Sequence, residues 1–272
     1  MSAYQYLEVE KTDHIACVTM SNPPTHTLVA AGVEELHQAV DALQDDDVRV
    51  VVFRGGGEGI FIAHYEVGEL AATSGARQKE RAGAEAGTGR TETLHAFHRL
   101  CLKLEASPFL TIAALNGRAA GGGLEFALAC DFRLTSDGPW KFGLPETSVG
   151  IIPGAGGTQR MARLLGTARA LDLVLHARLM NPAEALQLGL VHRVFPAAEF
   201  DEKTDAFAKD LAGRAPIAMA AAKAAIHQGA GLPLSEALAF EQQQFDKTIR
   251  SEDAAGALTS VLKGKRWQWT GR

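Results

Sequence analysis

The sequence predicts an α/β core followed by a region that contains only helices. Up to about residue 195, short apolar runs typical of buried strands alternate with segments whose apolar residues recur at helical spacing. After Pro196 only the helical spacing remains. No repeat of fixed period is visible along the 272 residues. We therefore divide the chain into a core over residues 1–197 and a C-terminal helical region over residues 198–272.

The N-terminal elements follow from simple patterns. Leu7–Glu10 and Ile15–Met20 alternate between apolar and polar residues around a polar turn, which predicts a hairpin. Apolar residues at helical spacing over 33–43 predict a helix, and the apolar run Val48–Phe53 predicts a buried strand. Residues 73–90 are rich in glycine, alanine and charge without an apolar stripe, so we interpret them as a loop or a frayed helix.

The middle of the chain predicts a helix, a strand and a second helix. Residues 91–105 are amphipathic and stop at Pro108. A second buried strand, Leu110–Leu115, leads into a glycine-rich run and then into an apolar helix over Leu124–Cys130. Further along, Asn181-Pro-Ala-Glu184 is a helix start with a capping side chain. The predicted C-terminal helices cover residues 198–212, 216–227, 233–249 and 252–262.

Composition and charge are those of an ordinary globular protein. Hydrophobic residues make up 46% of the chain and charged residues 22%, and the net charge is −5. This mildly acidic balance argues against a protein that binds nucleic acid or a membrane surface. No segment has the pattern of a signal peptide or a membrane span, and the three dispersed cysteines form no disulfide framework. We expect a cytoplasmic protein.

Several kinds of site are disfavoured by the sequence. The glycine clusters at 121–123 and 154–157 do not continue into Gly-Lys-Ser/Thr, so a P-loop is excluded. Gly154-Ala-Gly156 also lacks the preceding strand that a dinucleotide-binding fingerprint requires. The histidines are dispersed, with no pair beside a carboxylate at ligand spacing, so we expect no metal site. No Ser/His/Asp set stands in a supporting context.

The glycines at 121–123 and two glutamates are the candidates for chemistry. Glycines before a helix let backbone amides approach a ligand, so Gly121–Gly123 is either an oxyanion-binding turn or only a tight turn. Glu125 lies among apolar residues, where an unpaired charge is costly. Glu146 follows Phe-Gly-Leu-Pro. Each glutamate is either catalytic or structural, Glu125 as a helix N-terminal charge and Glu146 as a cap or salt-bridge residue.

Taken together, these segments resemble the enoyl-CoA hydratase/isomerase (crotonase) family. The resemblance lies in residues 112–125, 142–160, 183–191 and 264–272, and it covers nearly the whole chain in order. It implies a crotonase-type spiral of ββα units, with a C-terminal helical region that mediates trimers or hexamers built as dimers of trimers. It also implies an acyl-CoA thioester as the substrate, with no cofactor apart from the coenzyme A of that substrate.

The resemblance also implies a site. The thioester oxygen is expected between the backbone amides of Ala63 and Gly122, and Glu125 and Glu146 are expected to hold the attacking water, with Glu146 delivering a proton to Cα. Family isomerases typically keep only the second glutamate, so the presence of both favours an enoyl-CoA hydratase. Further contacts with the thioester or CoA are expected from His64, Gly121, Pro145, Gly154 and Lys265.

One segment departs from the family pattern. The first oxyanion loop usually reads alanine-glycine-x-aspartate, and here it is Ala63-His-Tyr-Glu66. His64 and Tyr65 either point away from the site, or crowd the thioester, reshape the acyl pocket or add a polar group. An isomerase, another acyl-CoA-processing activity within the same fold, and an acyl-CoA-binding paralogue with little activity are the alternatives to a hydratase.

Overall fold

The fold was analysed in a computed structural model, which describes residues 4–44, 46–83 and 94–272. Its strands are β1 (Leu7–Thr12), β2 (Ile15–Met20), β3 (Val50–Gly55), β4 (Gly59–Ile62), β5 (Leu110–Leu115), β6 (Gly117–Ala120), β7 (Phe132–Ser136), β8 (Phe142–Gly143), β9 (Leu179–Met180) and β10 (Arg193–Phe195). Its helices are α1 (Ala30–Gln44), α2 (Val67–Gly83), α3 (Ala96–Ala106), α4 (Gly122–Ala129), α5 (Gly157–Leu165), α6 (Thr167–Leu175), α7 (Pro182–Leu188), α8 (Phe200–Ala212), α9 (Pro216–Gly229), α10 (Leu234–Ile249) and α11 (Glu252–Leu262).

The strands form two sheets, and the chain alternates between them. The larger sheet has the order β1-β2-β3-β5-β7-β10 and the smaller sheet the order β4-β6-β8-β9. The chain repeatedly adds one strand to the large sheet and the next to the small sheet before a helix follows, as in β3–β4, β5–β6 and β7–β8. Apart from the β1–β2 hairpin and the β8–β9 pair, the described strand pairs are parallel. The predicted α/β spiral of ββα units is confirmed.

The sequence analysis missed β6, because it is separated from β5 by a single residue. Gly117 begins β6 opposite Gly59 of the parallel strand β4, and a methyl group placed on Gly117 would overlap the backbone of Gly59. Asn116 makes the sharp turn between the two sheets. Its side-chain amide donates to the Gly55 carbonyl and its side-chain oxygen accepts from the Gly55 amide. The glycine-rich run is therefore a strand and a helix start in succession.

The hydrophobic core lies on both faces of the large sheet. Every residue of β5 is buried, as the continuous apolar run predicts. One face packs against α1, α3 and α4, and the other is covered by α8 through Phe200, Ala208 and Leu211. Residue 198 is thus not the end of core packing, and the separate role assigned to residues 198–272 stays a prediction.

Helix α2 extends over residues that the sequence analysis interpreted as a loop or a frayed helix. Most of its side chains from Val67 to Lys79 are exposed, which explains why no apolar stripe marks it. The first turn of α2 is held by α1, because Glu69 accepts a hydrogen bond of 3.0 Å from the Ala30 amide. The rest of the predicted segment, residues 84–90, lies outside the described residues.

The C-terminal tail folds back onto α11. Asp253 is 2% exposed and accepts hydrogen bonds from the Trp267 indole at 2.9 Å, from the Thr270 amide at 2.8 Å and from the Gly271 amide at 2.8 Å. Burial opposes ionisation, yet these donors lower the pKa of Asp253 to about 2. The tail that carries Lys265 is therefore an ordered part of the fold. None of the helices within the described ranges is long and apolar enough to cross a membrane.

A buried ion pair joins α9 to the core. The Lys223 ammonium lies 2.9 Å from Asp131 and donates to the carbonyls of Leu104 and Phe109, each at 2.8 Å. The side chains of Lys223 and Asp131 are 3% and 8% exposed. Burial opposes the charge of Asp131, but the hydrogen bond with His227 and the charge of Lys223 lower the pKa of Asp131 below its ordinary value. Both charges are fully paired.

Replacing Lys223 by methionine should destabilise the protein by roughly 3–5 kcal/mol, because Asp131 would keep a buried charge without its partner. Urea denaturation at pH 7 gives the free energy of unfolding. The control is Lys209→Met, at an exposed position of α8, which should change it little. A Lys223→Met variant as stable as the wild type would show that this pair contributes nothing.

Candidate active site

The glycine turn before α4 presents a free backbone amide. Gly121 has φ 51°, which favours glycine, and its amide donates to the Gly143 carbonyl at 2.9 Å. Gly122 is the first residue of α4, so its own amide has no partner within the helix. That amide also forms no hydrogen bond with the other residues that the structure describes. A methyl group on Gly122 would lie 3.0 Å from Cβ of Tyr65. The loop after β4 therefore passes directly over the α4 N-terminus.

The second free amide belongs to Tyr65. On either side of it, the His64 carbonyl accepts from Leu28 at 2.9 Å and the Glu66 amide donates to Leu28 at 2.8 Å. This bridge turns the Tyr65 amide away from Leu28 and towards α4. The Tyr65 nitrogen lies 3.3 Å from where a methyl group on Gly122 would be, and its N–H has no acceptor within the described ranges.

The geometry differs here from the expectation that Ala63 supplies the first amide. The Ala63 N–H donates to the His26 carbonyl at 3.0 Å, so it is not available to a ligand. The loop thus pairs the amides of Ala63 and Glu66 with the 26–28 segment and leaves the intervening Tyr65 amide facing Gly122. The correction moves the donor by two residues. The loop's register against residues 26–28 is a long-range feature that no local pattern indicates.

Glu125 is buried and held by backbone amides. It lies in the first turn of α4 and is 3% exposed. Its Oε1 accepts hydrogen bonds from Ala155 at 2.7 Å and Gly157 at 2.8 Å. Burial raises the pKa of Glu125, while the amides of Gly157, Ala155 and Gly154 oppose that rise. The amide donors stabilise the ionised form and so limit the rise in the pKa that burial causes.

The loop that supplies these amides is itself fixed by an ion pair. Arg160 binds Glu105 through one edge of its guanidinium, with Nε donating to Oε1 at 2.6 Å and Nη2 donating to Oε2 at 3.0 Å. The third guanidinium nitrogen, Nη1, donates to the Ala155 carbonyl at 3.0 Å. The Ala155 peptide is therefore held at its oxygen by Arg160 while its neighbouring amide binds Glu125. Sequence analysis missed this support, because Glu105 and Arg160 are far apart in the chain.

Glu146 has different surroundings. It begins a 3₁₀ turn directly after Pro145, and its Oε1 lies 3.0 Å from where a methyl group on Gly121 would be. Its Oε2 is buried and has no hydrogen-bond partner among residues 4–44, 46–83 and 94–272. Burial, followed by the negative charge of Glu125, raises the pKa of Glu146 to about 7. Near neutral pH this carboxyl therefore exchanges a proton readily.

The remaining predicted residues divide into two groups. His64, Pro145 and Gly154 lie around the two glutamates. His64 Nδ1 lies 2.8 Å from the Tyr65 carbonyl and its Cβ faces Gly121, and Gly154 precedes the amides that hold Glu125. Lys265 is different, because it lies in the tail on α11, where its amide bonds to Ser260. No described hydrogen bond links Lys265 to the glutamates.

The site described by these residues is a pair of amides beside two carboxyls. The amides of Tyr65 and Gly122 face each other, and Glu125 and Glu146 are close enough for the charge of one to raise the pKa of the other. Such a site can polarise a carbonyl oxygen and move protons at neighbouring carbons. No cluster of His, Cys, Asp and Glu suited to a metal ion occurs in the part of the chain that the structure covers.

Comparisons with known proteins agree on one family. The model of the enoyl-CoA hydratase/isomerase family matches residues 10–272. A putative enoyl-CoA hydratase/isomerase of Bacillus subtilis is 34% identical over 96% of both chains. A short-chain-enoyl-CoA hydratase of Clostridium acetobutylicum is 33% identical over 95% of both. An enoyl-CoA hydratase crystal structure from Geobacillus kaustophilus superposes with a TM-score of 0.90 at 35% identity, covering 100% of this chain and 98% of that one. The chain belongs to the enoyl-CoA hydratase/isomerase family.

Proposed function

We propose that this protein is a trans-2-enoyl-CoA hydratase, which adds water across the C2=C3 double bond to give a 3-hydroxyacyl-CoA. The observation that carries the proposal is the contrast between the two glutamates. Burial raises the pKa of Glu125 but amide donors limit that rise, whereas the pKa of Glu146 is raised to about 7 and its Oε2 has no partner among the described residues. Two carboxyls in unlike environments can serve as base and acid at one pH.

The two free amides suit the thioester. In the proposed complex the thioester oxygen accepts hydrogen bonds from the amides of Tyr65 and Gly122. Polarisation of that carbonyl makes C3 electrophilic and stabilises the enolate that forms when water adds. The positive end of the α4 dipole acts in the same direction. Removing one oxyanion donor typically costs on the order of 3 kcal/mol in the transition state.

The glutamates complete the addition. In the proposed step the oxygen of water bonds to C3 while Glu125, as the carboxylate, takes one proton from it. Electrons of the double bond move to the thioester oxygen as enolate. The enolate then collapses, and C2 takes a proton from Glu146. Because the two carboxyls are electrostatically coupled, a proton passed from Glu125 to Glu146 restores the starting state.

The other reactions of the family are distinguished by the product. An isomerase moves a proton between carbons and needs only one carboxyl for it. Glu125, which three backbone amides hold, would then have no proton to move. We favour hydration because it uses both carboxyls. Hydration adds the mass of one water to the substrate and isomerisation adds none. An acyl-CoA-binding paralogue would form a complex and release no product.

We also propose that the protein is a homotrimer, or a hexamer formed by two trimers, in which the tails help to bind CoA. The C-terminal helices leave large apolar side chains exposed, among them Leu262 at 89%. The others that are more than half exposed are Ile226, Leu234, Leu238, Phe245, Leu258 and Val261. Such a surface is typical of a subunit interface. The tail that Asp253 orders would present Lys265 to a phosphate of CoA, in its own or a neighbouring subunit.

Replacing either glutamate by glutamine should lower kcat/KM for crotonyl-CoA by at least about 100-fold, the usual contribution of a positioned acid or base. The assay measures loss of the enoyl absorbance together with the mass of the product. Glu8→Gln, at an exposed position of β1, is the matched control and should retain full activity. Undiminished hydration by Glu146→Gln would refute the proposed mechanism.

The pH dependence follows from the raised pKa of Glu146. The proposal requires Glu125 ionised and Glu146 protonated, so kcat/KM for hydration should decline at acidic pH, where Glu125 gains a proton, and should fall again above the pKa of Glu146 of about 7. The fall should approach about tenfold per pH unit. In Glu125→Gln the residual activity should break at a lower pH, because the neighbouring negative charge that raises the pKa of Glu146 is gone. Activity that rises through neutral pH would contradict the role of Glu146 as acid.

Lys265→Ala should raise KM for crotonyl-CoA several-fold, because a phosphate contact is lost, and leave kcat unchanged. The control substrate is the N-acetylcysteamine thioester of crotonate, which has no phosphate, and its kinetics should be identical for the wild type and the variant. An equal loss with both thioesters would mean that Lys265 acts through the fold rather than through CoA.

A further inference from the structure

We propose that the side chain of Tyr65 closes the acyl pocket and restricts the enzyme to short 2-enoyl groups. This inference rests on the proposed hydratase function and adds to it the class of acyl chain. It starts from the residue whose backbone, rather than that of Ala63, supplies the free amide. A side chain on the very residue that binds the thioester oxygen cannot lie far from the acyl group.

The position of the ring follows from its backbone. The Tyr65 amide faces Gly122, and the Cβ atom of Tyr65 lies 3.0 Å from where a methyl group on Gly122 would be. The aromatic ring of Phe97 lies 3.3 Å from the same point. The two rings therefore stand together over the glycine that supplies the second amide. An acyl group whose oxygen lies between the two amides must pass beside them.

Two contacts hold the tyrosine ring in place. It stacks on Phe97 with ring centroids 6.2 Å apart and planes 27° apart, and Phe97 itself is 3% exposed. The Tyr65 hydroxyl donates to Glu69 Oε2 at 2.8 Å. Glu69 in turn accepts from the Ala30 amide at the start of α1. The ring is thus linked to α3 directly and to α1 through Glu69 of α2, and moving it would break the stacking and the hydroxyl hydrogen bond.

The hydroxyl remains a donor at physiological pH. Burial, together with the hydrogen bond and the charge of Glu69, raises the pKa of Tyr65 above its ordinary value. The bond to Glu69 is therefore kept throughout the working range of the enzyme. A fixed ring acts as a wall rather than as an adaptable surface, because a closely packed aromatic pair does not yield without losing its contacts.

The consequence is that the pocket selects substrates by the length of the acyl chain. In the proposed complex the terminal methyl group of crotonyl-CoA lies beside the ring, whereas a longer chain would need the volume that the ring occupies. Misfit in a packed pocket changes kcat/KM by about 10–200-fold per methylene group. We therefore expect crotonyl-CoA to be preferred over trans-2-decenoyl-CoA by at least about 100-fold.

The experiment compares kcat/KM for crotonyl-, trans-2-hexenoyl-, trans-2-decenoyl- and trans-2-hexadecenoyl-CoA on the wild type, Tyr65→Ala and Tyr65→Phe. All three proteins keep the backbone amide. The ratio of decenoyl to crotonyl turnover should rise at least about tenfold in Tyr65→Ala and stay near the wild-type ratio in Tyr65→Phe, which keeps the ring. Taking the ratio cancels any loss in the oxyanion site that is common to all substrates. If Tyr65→Ala does not fold, Tyr65→Leu serves in its place.

The inference is overturned if the wild type hydrates hexadecenoyl-CoA as efficiently as crotonyl-CoA, or if removing the ring leaves the ratio unchanged. Failure of the proposed function looks different, because no substrate, crotonyl-CoA included, would then gain water in the wild type. In that case the Kd values of the same CoA esters for the wild type and Tyr65→Ala give the ratio instead. Relatively tighter binding of long-chain esters by Tyr65→Ala than by the wild type would support the role of the ring as a wall. An unchanged ratio of Kd values would refute it.

Discussion

Glu125 carries a carboxylate inside an apolar helix, and the cost of burying an unpaired charge requires the loop before α5 to supply amide donors. The amides of Ala155 and Gly157 do so at 2.7 and 2.8 Å. The small residues of that loop let the backbone approach the carboxylate, since a methyl group on Gly157 would lie 2.9 Å from Oε1 of Glu125. Arg160 and Glu105 then fix the loop from the other side. The placement of the whole site depends on satisfying this one charge.

The same reasoning accounts for the difference between the two carboxyls. Backbone donors limit the rise in the pKa of Glu125, while Glu146 has a buried oxygen with no partner in the described part of the chain and lies near the charge of Glu125. Residues of the same type thus acquire different proton affinities from their surroundings alone. A structural ion pair would neutralise such a difference, as Lys223 does for Asp131. No cation among the described residues lowers the pKa of Glu146 in this way, and a raised pKa is typical of a group that exchanges protons.

Close crossing of chain segments connects the fold to the pocket. The Gly122 amide is accessible because α4 begins with two glycines, where side chains would crowd Tyr65 or the Ile62 backbone. The Tyr65 amide is accessible because its neighbours pair with residues 26–28. Tyr65 contributes both to the oxyanion site and to the wall of the pocket, since its amide faces the α4 N-terminus and its ring packs on Phe97. A change in this loop would therefore alter both the activation of the thioester and the shape of the acyl pocket.

The sequence by itself determined the elements with strong local signals and the family. Periodicity indicated the β1–β2 hairpin, β5 and the C-terminal helices, because burial imposes a period that local sequence records. It also marked Glu125 and Glu146 as unusual carboxyls, although their roles remain proposals. The tertiary structure alone decided which amide faces Gly122, because hydrogen bonds between Ala63 and His26 and between Leu28 and its neighbours join segments that are distant in the chain. It likewise decided the support of Glu125 by Arg160 and the raised pKa of Glu146, since charge and burial depend on neighbours that only folding brings together.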